Sequence, residues 1–136
     1  MTSQKYDVVL ACGGLGTRLR EITINTPKPL YFIEGKSTLE RCIEQLDFYQ
    51  FKNVIITIGY KSNNFIEHIV ELNKKYKINI DVYVEEKPLG ECGALWIIKD
   101  DLCDDFVFIN GDLIFSIDFK KLHTLIYHNF QHVFVL

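Results

Sequence analysis

Apolar positions along the chain fall into short runs, separated by longer stretches with helical spacing. Three of the runs are nearly continuous and stop at glycine or at Asn-Gly, which is typical of buried parallel strands: residues 6–11 (YDVVLA), 54–58 (VIITI) and 106–109 (FVFI). Residues 80–85 (IDVYVE) alternate between apolar and polar side chains, as a half-buried strand does. Residues 133–136 (VFVL) begin a further strand, so five strands are expected.

Helices are expected between these strands. Ser37 and Glu40 have the spacing of a capping box, which begins an amphipathic helix. Asp118 is placed to cap the last helix, whose buried side would include Phe119. The apolar face of the second helix is expected to hold Phe65, Ile66, Ile69 and Val70. The four predicted helices cover residues 37–50, 62–76, 91–99 and 119–129.

Strands that alternate with helices predict an α/β fold, in which right-handed crossovers cover both faces of a mostly parallel sheet. In open sheets of this kind, ligands bind beyond the carboxyl ends of the strands. Functional residues are therefore expected in the loops after residues 11, 58, 85 and 109. Three of these four loops hold the most unusual stretches of the sequence.

Composition narrows the class of protein. The chain has 136 residues, which suits one domain, and a net charge of −3. Because both signs of charge are spread along the chain, no broad surface for nucleic acid or for an anionic membrane is expected. The N-terminal segment lacks a signal-peptide pattern, since Gly13 and Gly14 interrupt its apolar run. The four cysteines show no CxxC spacing, so free thiols in a reducing cytoplasm are expected instead of a zinc site or disulfides.

The loop after the first strand, Cys12–Leu19, has three glycines in four positions. Such a loop lets the backbone approach a ligand closely, and successive N–H groups can form a nest for phosphate oxygens. Arg18 and Arg20 add positive charge with a fork geometry that suits phosphate. Neither the dinucleotide fingerprint nor the Walker motif is present, so a plain glycine-rich turn with an exposed arginine is an equal alternative.

Two further elements could act on the same ligand. Lys28 lies between Pro27 and Pro29, which restrict the backbone and present the ammonium from a rigid stem. A surface turn is the simpler interpretation of this segment. The stretch Glu85–Ala94 joins a strand end, a proline and two glycines, so its backbone could contact the edge of a nucleobase. An ordinary strand-to-helix connection is the alternative there.

A carboxylate follows the fourth predicted strand. Asp112, in the segment Asn110-Gly111-Asp112, comes just beyond the carboxyl end of that strand. Mg²⁺ prefers one or two carboxylates together with phosphate oxygens, so this position suits a magnesium ligand beside a phosphate site. An Asn-Gly turn with a solvated aspartate is the common alternative.

Four motifs follow one another from about residue 7 to the end of the chain: GGLGTRL, PKPL, EEKPLGECGAL and FINGDLIFSIDF. In this order they resemble the sugar-phosphate nucleotidyltransferase family, and within it mannose-1-phosphate and heptose-1-phosphate guanylyltransferases. The resemblance implies a Rossmann-like three-layer αβα sandwich, the nucleotide-diphospho-sugar transferase fold. It also implies an enzyme that transfers an NMP, with GMP favoured, from an NTP to a sugar 1-phosphate, releasing pyrophosphate and supplying precursors for glycans.

The resemblance implies roles for particular residues. Arg18 would bind the leaving pyrophosphate, Lys28 would steady the α-phosphate, and Asp112 would be one of two Mg²⁺ ligands; these three are the implied catalytic residues. The loop that would hold the NTP phosphates comprises Cys12, Gly13, Gly14, Gly16 and Thr17, with Arg18 beside them. The base and ribose pocket would be lined by Glu85, Pro88 and Gly90.

Length bears on how complete this site is. In the family, the sugar-binding residues and the second magnesium-ligating aspartate lie well downstream of the NGD segment. Residues 1–136 are therefore expected to be the nucleotide-binding part of a single nucleotidyltransferase domain, truncated before its sugar-binding part. The alternative is a non-catalytic nucleotide-binding module or a regulatory partner of a complete enzyme. NTP, with GTP favoured, and sugar 1-phosphate are the expected partners, and the free edge of the last strand leaves a homo-oligomer open.

Overall fold

The computed structural model describes residues 4–13, 27–59, 62–87, 89–90, 92–111, 116–122 and 124. The strands in this part of the chain are β1 (Tyr6–Ala11), β2 (Phe32–Ile33), β3 (Lys36–Ser37), β4 (Asn53–Ile58), β5 (Asn79–Val84) and β6 (Leu102–Asn110). The helices are α1 (Thr38–Phe48), α2 (Ser62–Lys75) and α3 (Gly93–Ile98), and 3₁₀ turns cover Lys28–Leu30 and Lys99–Asp101. Residues 119–122 and 124 are also helical.

The four longer strands form one parallel sheet in the order β5-β4-β1-β6. Val9 at the centre of β1 pairs with Ile55 of β4 on one side and with Phe108 of β6 on the other. The chain adds β4 and then β5 to one side of β1 before it returns to place β6 on the opposite side. The strand order therefore reverses at β1, and in open α/β sheets the ligand crevice lies at such a reversal.

The larger core lies on the sheet face that α1 and α2 cover. Alternate strand residues point to this face because side chains along a strand alternate with a period of two. On β1 these residues are Val8 and Leu10, and both are fully buried. The helix residues that pack against them are Leu39, Cys42, Ile43 and Leu46 of α1 and Phe65, Ile69 and Leu72 of α2.

A smaller core lies on the other face of the sheet. Val9, Ile55 and Phe108 come from three neighbouring strands and pack there against Ile98 of α3. Trp96, two residues earlier in the same short helix, is 73% exposed. The two faces of the sheet are therefore buried to different extents within the described part of the chain.

The alternation of strands and helices predicted from the hydrophobic pattern is confirmed. The strands expected at residues 6–11, 54–58 and 80–85 are β1, β4 and β5, with bounds that agree to within one residue. The helices expected at residues 37–50, 62–76 and 91–99 are α1, α2 and α3. Asp118 caps the last helix as predicted, since its Oδ1 accepts from the N–H groups of Lys120 at 3.1 Å and of Lys121 at 3.2 Å.

β6 is longer than the predicted strand, which covered only residues 106–109. It begins at Leu102, and its pairing with β1 shifts register near that end. Asp104 and Asp105 lie in the added portion and are exposed. Acidic residues are depleted in strands, so the hydrophobic pattern did not predict that the strand begins before these two residues.

The short hairpin of β2 and β3 is absent from the sequence prediction. Its turn consists of Glu34 and Gly35, whose φ angles are 51° and 82°. Positive φ at both central residues characterises the type I′ turn, whose twist suits a two-residue hairpin. Each strand has only two residues, which is too short for a periodic pattern, so Gly35 was the one available signal.

Two details of the predicted helices are wrong. The α2 face does not bury all four expected residues, because Ile66 is 43% exposed and Val70 is 49% exposed. The buried stripe consists of Phe65, Ile69 and Leu72 instead. The capping box is formed only in part: Ser37 Oγ accepts the N–H of Glu40 at 2.9 Å, but the Glu40 carboxylate turns toward α2.

Some predictions fall on residues that the structure does not describe. They include the strand at residues 133–136 and the end of the last helix beyond residue 124. Among the described residues, no helix has the length and apolar character needed to cross a membrane.

Candidate functional site

The carboxyl ends of the parallel strands are joined by main-chain hydrogen bonds that continue one residue beyond the strands. The N–H of Cys12 donates to a carbonyl of β4 at 2.8 Å, and the N–H of Gly111 donates to a carbonyl of β1 at 3.0 Å. On the side of β4 away from β1, the N–H of Glu85 donates to the last carbonyl of β4 at 2.6 Å. The loops that follow β1, β5 and β6 therefore start from fixed positions along a single edge.

Glu85 directs its carboxylate to the loop after β1. A Cβ atom at Gly13 would lie 2.7 Å from Glu85 Oε1 and 3.0 Å from its Cδ, which is closer than real side chains pack. A side chain at position 13 would therefore displace the Glu85 carboxylate, which occupies its place. Glu85 is only partly exposed, so this contact is sheltered from solvent on one side. The residues after β1 and β5 thus meet although β4 lies between these strands.

Gly59 follows the intervening strand β4 and lies beside this contact. A Cβ at Gly59 would be 3.5 Å from the carbonyl oxygen of Gly13 and 3.9 Å from Cβ of Glu85. These are ordinary contact distances, so an alanine fits there and would touch both Gly13 and Glu85. Gly59 is not among the predicted site residues, although the loop after residue 58 is one of the four that were expected to be functional. Its only signal was a glycine directly after a buried strand, at the edge where ligands bind.

Cys12 contacts the loop after β6. It is 6% exposed, and a Cβ atom placed on Gly111 would collide with its Sγ. Gly111 is itself buried. The sulfur atom therefore fills the position that a side chain of residue 111 would take. Cys12 was predicted as part of the phosphate loop, and the structure adds that its side chain packs on the segment that precedes Asp112.

The main chain of Lys28 is held by α1. Its carbonyl accepts from the N–H of Tyr31 at 3.0 Å and from Oγ1 of Thr38 at 3.1 Å. Thr38 is the first residue of α1 and is buried. The backbone around Lys28 is therefore constrained by a 3₁₀ turn and a helix start as well as by the two prolines. The action of its ammonium on a phosphate stays a prediction.

The glycines of the loop after β5 have conformational reasons of their own. Gly90 is exposed and has a φ of 77°, which favours glycine, and its Cα faces open space. A Cβ on Gly93 would collide with the side chain of Leu89, which folds over the start of α3. The loop leaves room at Gly90 for a ligand to approach, while Gly93 is explained by packing within the loop.

Six predicted site residues lie outside the described residues, and their roles stay predictions: Gly14, Gly16, Thr17, Arg18, Pro88 and Asp112. Of the others, the structure brings Gly13 and Glu85 into contact, with Cys12 adjacent in the chain. Lys28 is anchored on α1, and Gly90 lies in an exposed loop. In the part of the chain that the structure describes, no group of three or more His, Cys, Asp or Glu side chains could hold a metal ion.

A parallel sheet whose strand order reverses at β1, with a glycine loop and a carboxylate meeting at its carboxyl edge, defines an α/β protein of the class that binds its ligand at this edge. The chain belongs to the nucleotidyl transferase family. The sequence model of that family, described as "Nucleotidyl transferase", matches residues 6–133.

Curated relatives and solved structures agree with this assignment. The chain is 36% identical over 123 residues to the bifunctional protein GlmU of Methanococcus maripaludis, covering 90% of this chain and 28% of that protein. It is 33% identical over 117 residues to the mannose-1-phosphate guanyltransferase of Yarrowia lipolytica, covering 84% of this chain and 32% of that protein. The crystal structure of HddC from Yersinia pseudotuberculosis complexed with GMP-PN superposes with a TM-score of 0.79 at 33% identity.

These matches bear on the fold and on the extent of the chain. The HddC superposition covers 88% of this chain and 53% of that one, and it confirms the nucleotide-diphospho-sugar transferase fold expected from the motifs. The chain therefore spans about half the length of that structure and 28–32% of the two curated relatives. The resemblance of the motifs to the sugar-phosphate nucleotidyltransferase family is thereby confirmed.

Proposed function

We propose that the protein transfers GMP from GTP to a sugar 1-phosphate, giving a GDP-sugar and pyrophosphate for glycan synthesis. The residues of this chain would form the nucleotide side of the site. The observation that carries the proposal is the contact of the Glu85 carboxylate with Gly13, at the start of the loop that we assign to the phosphates. In the proposed site, Glu85 would be the acceptor-only group that faces the base.

Guanine is the base that suits such a group. An ionised carboxylate only accepts hydrogen bonds, and its two oxygens accept best from two adjacent donors. Guanine presents adjacent N1–H and N2–H₂ donors on its Watson–Crick edge. Uracil and thymine present a single N–H between two carbonyl oxygens, and adenine and cytosine present a ring nitrogen acceptor next to their amino group. A carboxylate at position 85 would therefore pair with guanine and would repel an acceptor atom on the edge of each of the other bases.

The relatives support the choice of guanine. The HddC structure was solved with GMP-PN, and the Yarrowia relative is named a mannose-1-phosphate guanyltransferase. The name of the Methanococcus relative, bifunctional protein GlmU, specifies no base. The preference for GTP therefore rests on the chemistry of Glu85 together with two of the three relatives.

The phosphates would bind the loop after β1 beyond Gly13, because the Glu85 carboxylate would repel them at Gly13 itself. N–H groups of Gly14 and Gly16 would cradle them, with Arg18 and Lys28 supplying positive charge. Asp112 would hold Mg²⁺ together with phosphate oxygens, since it directly follows Gly111 at the sheet edge, where a single carboxylate suits that ion. When bound, Mg²⁺ would neutralise and orient the phosphates.

The reaction is a single displacement. An oxygen of the sugar 1-phosphate attacks the α-phosphorus and forms a new P–O bond. The bond from the α-phosphorus to the bridging oxygen of the β-phosphate breaks, and pyrophosphate leaves with that electron pair. The protein's own contribution is to align attacking and leaving oxygens and to stabilise the charge on the phosphates.

The proposal has two levels because the chain covers only part of its relatives. For this chain it predicts nucleotide binding, and for a protein that also includes the sugar-binding part it predicts turnover. None of the four cysteines forms a disulfide in the described part of the chain, and Cys92 is exposed, which favours a reducing compartment such as the cytoplasm.

Glu85→Gln tests the base assignment. A glutamine offers one acceptor and one donor, so the variant should lose about 1–3 kcal/mol of preference for GTP over UTP, the range for one bidentate base contact. Isothermal titration of this chain with GTP and with UTP, each with Mg²⁺, measures that preference. Glu86→Gln is the matched control, because Glu86 is the exposed neighbour and its change removes the same charge.

If the ratio of GTP to UTP affinity is unchanged in Glu85→Gln, Glu85 does not contact the base. An equal change in the Glu86 variant would assign the effect to net charge alone.

Pyrophosphate release by a protein that includes the sugar-binding part, with GTP and a panel of sugar 1-phosphates, tests turnover. Release with UTP but not with GTP would refute the proposed nucleotide.

A further inference from the structure

The strand β5 forms one end of the described sheet. The N–H groups of Asn79 and Glu85 donate to main-chain carbonyls on the β4 side, at 2.9 Å and 2.6 Å. In the register of this parallel pair, the odd-numbered residues of β5 therefore direct their main-chain N–H and C=O groups to β4. The even-numbered residues, Ile80, Val82 and Val84, direct theirs away from the sheet.

The side chain of Asn73, on α2, covers the first of these outward positions. Its Nδ2 donates to the carbonyl of Ile80 at 2.9 Å, and its Oδ1 accepts the N–H of Ile80 at 3.0 Å. The side-chain amide thus takes the place of one residue of a further strand. No described residue bonds the outward main-chain groups of Val82 and Val84 in this way. The edge is therefore closed at its start and open toward its carboxyl end.

An apolar stripe of α2 lies beside the open part of the edge. Ile66, Val70 and Asn73 have the i, i+4, i+7 spacing of one helical stripe, and Asn73 attaches that stripe to β5. Because α2 joins two parallel strands, it runs back along them. Ile66 is about 10 Å from Asn73 along the helix, and Val84 is about 13 Å from Ile80 along the strand, so the two lie level. Ile66, Val70 and Val84 are 43%, 49% and 44% exposed.

The two carboxylates on either side of this open part turn away from the edge. Asp81 Oδ2 accepts from Tyr6 OH at 2.8 Å, and Tyr6 belongs to β1, on the far side of β4. Glu85 likewise reaches across the end of β4 to contact Gly13. Residues 82–84 therefore present main-chain donors and acceptors beside apolar side chains. A charged partner would find no ionised group to pair with along these residues, whereas an identical edge would match them.

We infer that residues 82–84 pair with the same residues of a second copy of this chain, antiparallel about a two-fold axis at Tyr83. In this register Val82 of each copy lies opposite Val84 of the other, and each such pair exchanges both of its N–H···O bonds. The two α2 helices lie on the same face of the joined sheet, so Ile66 and Val70 of one copy face those of the other. Such an interface uses the same patch twice and closes at two copies.

Asn73 limits the length of this pairing. In the same register the next pair would join Ile80 to Glu86 of the second copy, but the outward groups of Ile80 are already bonded to Asn73. A short ladder predicts a weak dimer that dissociates on dilution, as small interfaces do. It also predicts opposite effects of two substitutions, because Asn73 restricts the pairing and Val84 takes part in it.

Sedimentation velocity of the chain without nucleotide, over a range of concentrations, tests the inference. The parent should show a reversible equilibrium between monomer and dimer. Val84→Lys should weaken the dimer by about tenfold or more, because lysine on an edge strand opposes strand pairing. Asn73→Ala should strengthen it by about threefold or more, because Ile80 becomes free to pair. Ile97→Lys is the matched control, since Ile97 is 50% exposed on α3 over the other face of the sheet, and it should change nothing.

Val70→Lys provides a second variant if Val84→Lys does not fold, and it should also weaken the dimer. A parent chain that is monomeric at every concentration would overturn the inference. So would a dimer that the lysine substitutions at positions 84 and 97 weaken equally, or one that Asn73→Ala weakens. Each of the last two results would place the contact on another surface.

Hydrogen exchange provides a readout of the register itself. The amides of Val82 and Val84 should exchange rapidly in dilute solution and slow down as the dimer forms. The amide of Ile80 should be protected at both concentrations, because Asn73 already covers it. A dimer in which the amides of Val82 and Val84 stay unprotected would show that the two copies do not meet at β5.

Discussion

Glu40 is the buried carboxylate at which α1 and α2 meet. It accepts hydrogen bonds from Lys75 Nζ at 2.5 Å and from Tyr76 OH at 3.0 Å. Burial by itself would raise the pKa of Glu40, but the bonds from Lys75 and Tyr76 and the charge of Lys75 outweigh it and hold the pKa below its ordinary value. Burial, followed by the bond to Glu40, raises the pKa of Tyr76, so its phenol stays protonated as a donor.

Glu40→Gln is expected to lower the free energy of unfolding by about 1–3 kcal/mol at neutral pH, because Lys75 and Tyr76 lose a charged acceptor. The pKa of Glu40 is lower in the folded than in the unfolded chain. Its contribution is therefore present above its ordinary pKa of about 4 and is lost as the pH falls through the folded value. Urea denaturation of parent and variant at pH 7 and at pH 3 should show the difference shrinking in acid.

Glu44→Gln is the control for that experiment. Glu44 pairs with Lys36 at 2.5 Å, but both side chains are substantially exposed, so its loss should cost about 0–1 kcal/mol. Equal losses for the two variants, or a Glu40 effect that does not change with pH, would contradict the explanation given for Glu40.

The role of Glu40 could not be predicted from the sequence. Its spacing from Ser37 fits a capping box, and that pattern concerns only the helix to which Glu40 belongs. The partners of the carboxylate, Lys75 and Tyr76, lie at the end of α2, and which helix faces meet depends on the folded arrangement. A pattern within one helix therefore predicted the cap correctly and the carboxylate wrongly.

At the scale of elements, the N-terminus of α1 is both capped and tied to α2. Ser37 Oγ accepts the N–H of Glu40 at 2.9 Å, and a second hydrogen bond of 2.6 Å joins it to His68 Nε2 on α2. Ser37 is fully buried. Its removal would leave two polar groups without their partner in a region that excludes water.

Ser37→Ala is therefore expected to lower the free energy of unfolding by about 2 kcal/mol, toward the upper end for loss of a helix cap. Asp118→Ala removes the cap of the last helix, where Asp118 is exposed, and should cost about 1 kcal/mol or less. Chemical denaturation of both variants measures the difference. A smaller loss for Ser37 than for Asp118 would show that the bond to His68 adds nothing to the cap.

The elements themselves were largely predictable, because buried strands end at glycines and helices begin at cap residues. What the hydrophobic pattern missed has physical causes. The strands that flank the Glu34–Gly35 turn are too short to show a strand-like alternation of apolar and polar residues. The start of β6 contains two acidic residues, which interrupt its apolar pattern. On α2, residues 65, 66, 69 and 70 have the spacing of a single helical stripe. The face that packs on the core instead includes Leu72, and Ile66 is exposed to solvent. A helical pattern alone does not determine the rotation of a helix about its own axis.

At the scale of the whole molecule, β1 and β4 lie inside the described sheet, whereas β5 and β6 lie at its two ends. Both neighbours are present for β1, so its amides are all expected to be protected. Hydrogen exchange followed by NMR should find the slowest amides in β1 and β4 and alternating protection along β5. If β6 is protected at every residue while β5 alternates, a segment beyond the described residues pairs with β6.

Part of the site could be predicted from the order of strands and helices. The rule that ligands bind at the carboxyl ends of parallel strands placed Gly13 and Glu85 at the same edge. That they touch could not be predicted, because β4 lies between β1 and β5 and strand order is not visible in the hydrophobic pattern. The steric dependence of Gly111 on Cys12 was hidden for the same reason, since the two residues are distant in sequence and adjacent only in the folded sheet.

The contact of Glu85 with Gly13 has a consequence for how specificity could drift. The two residues meet across the end of β4 beside Gly59, where an added Cβ would lie 3.5 Å from the carbonyl oxygen of Gly13 and 3.9 Å from Cβ of Glu85. A valine at position 59 would place two further methyl groups near these neighbours without altering either partner. If Glu85 selects the base as proposed, a mutation at position 59 would change base selectivity although no contact with the nucleotide is assigned to that residue.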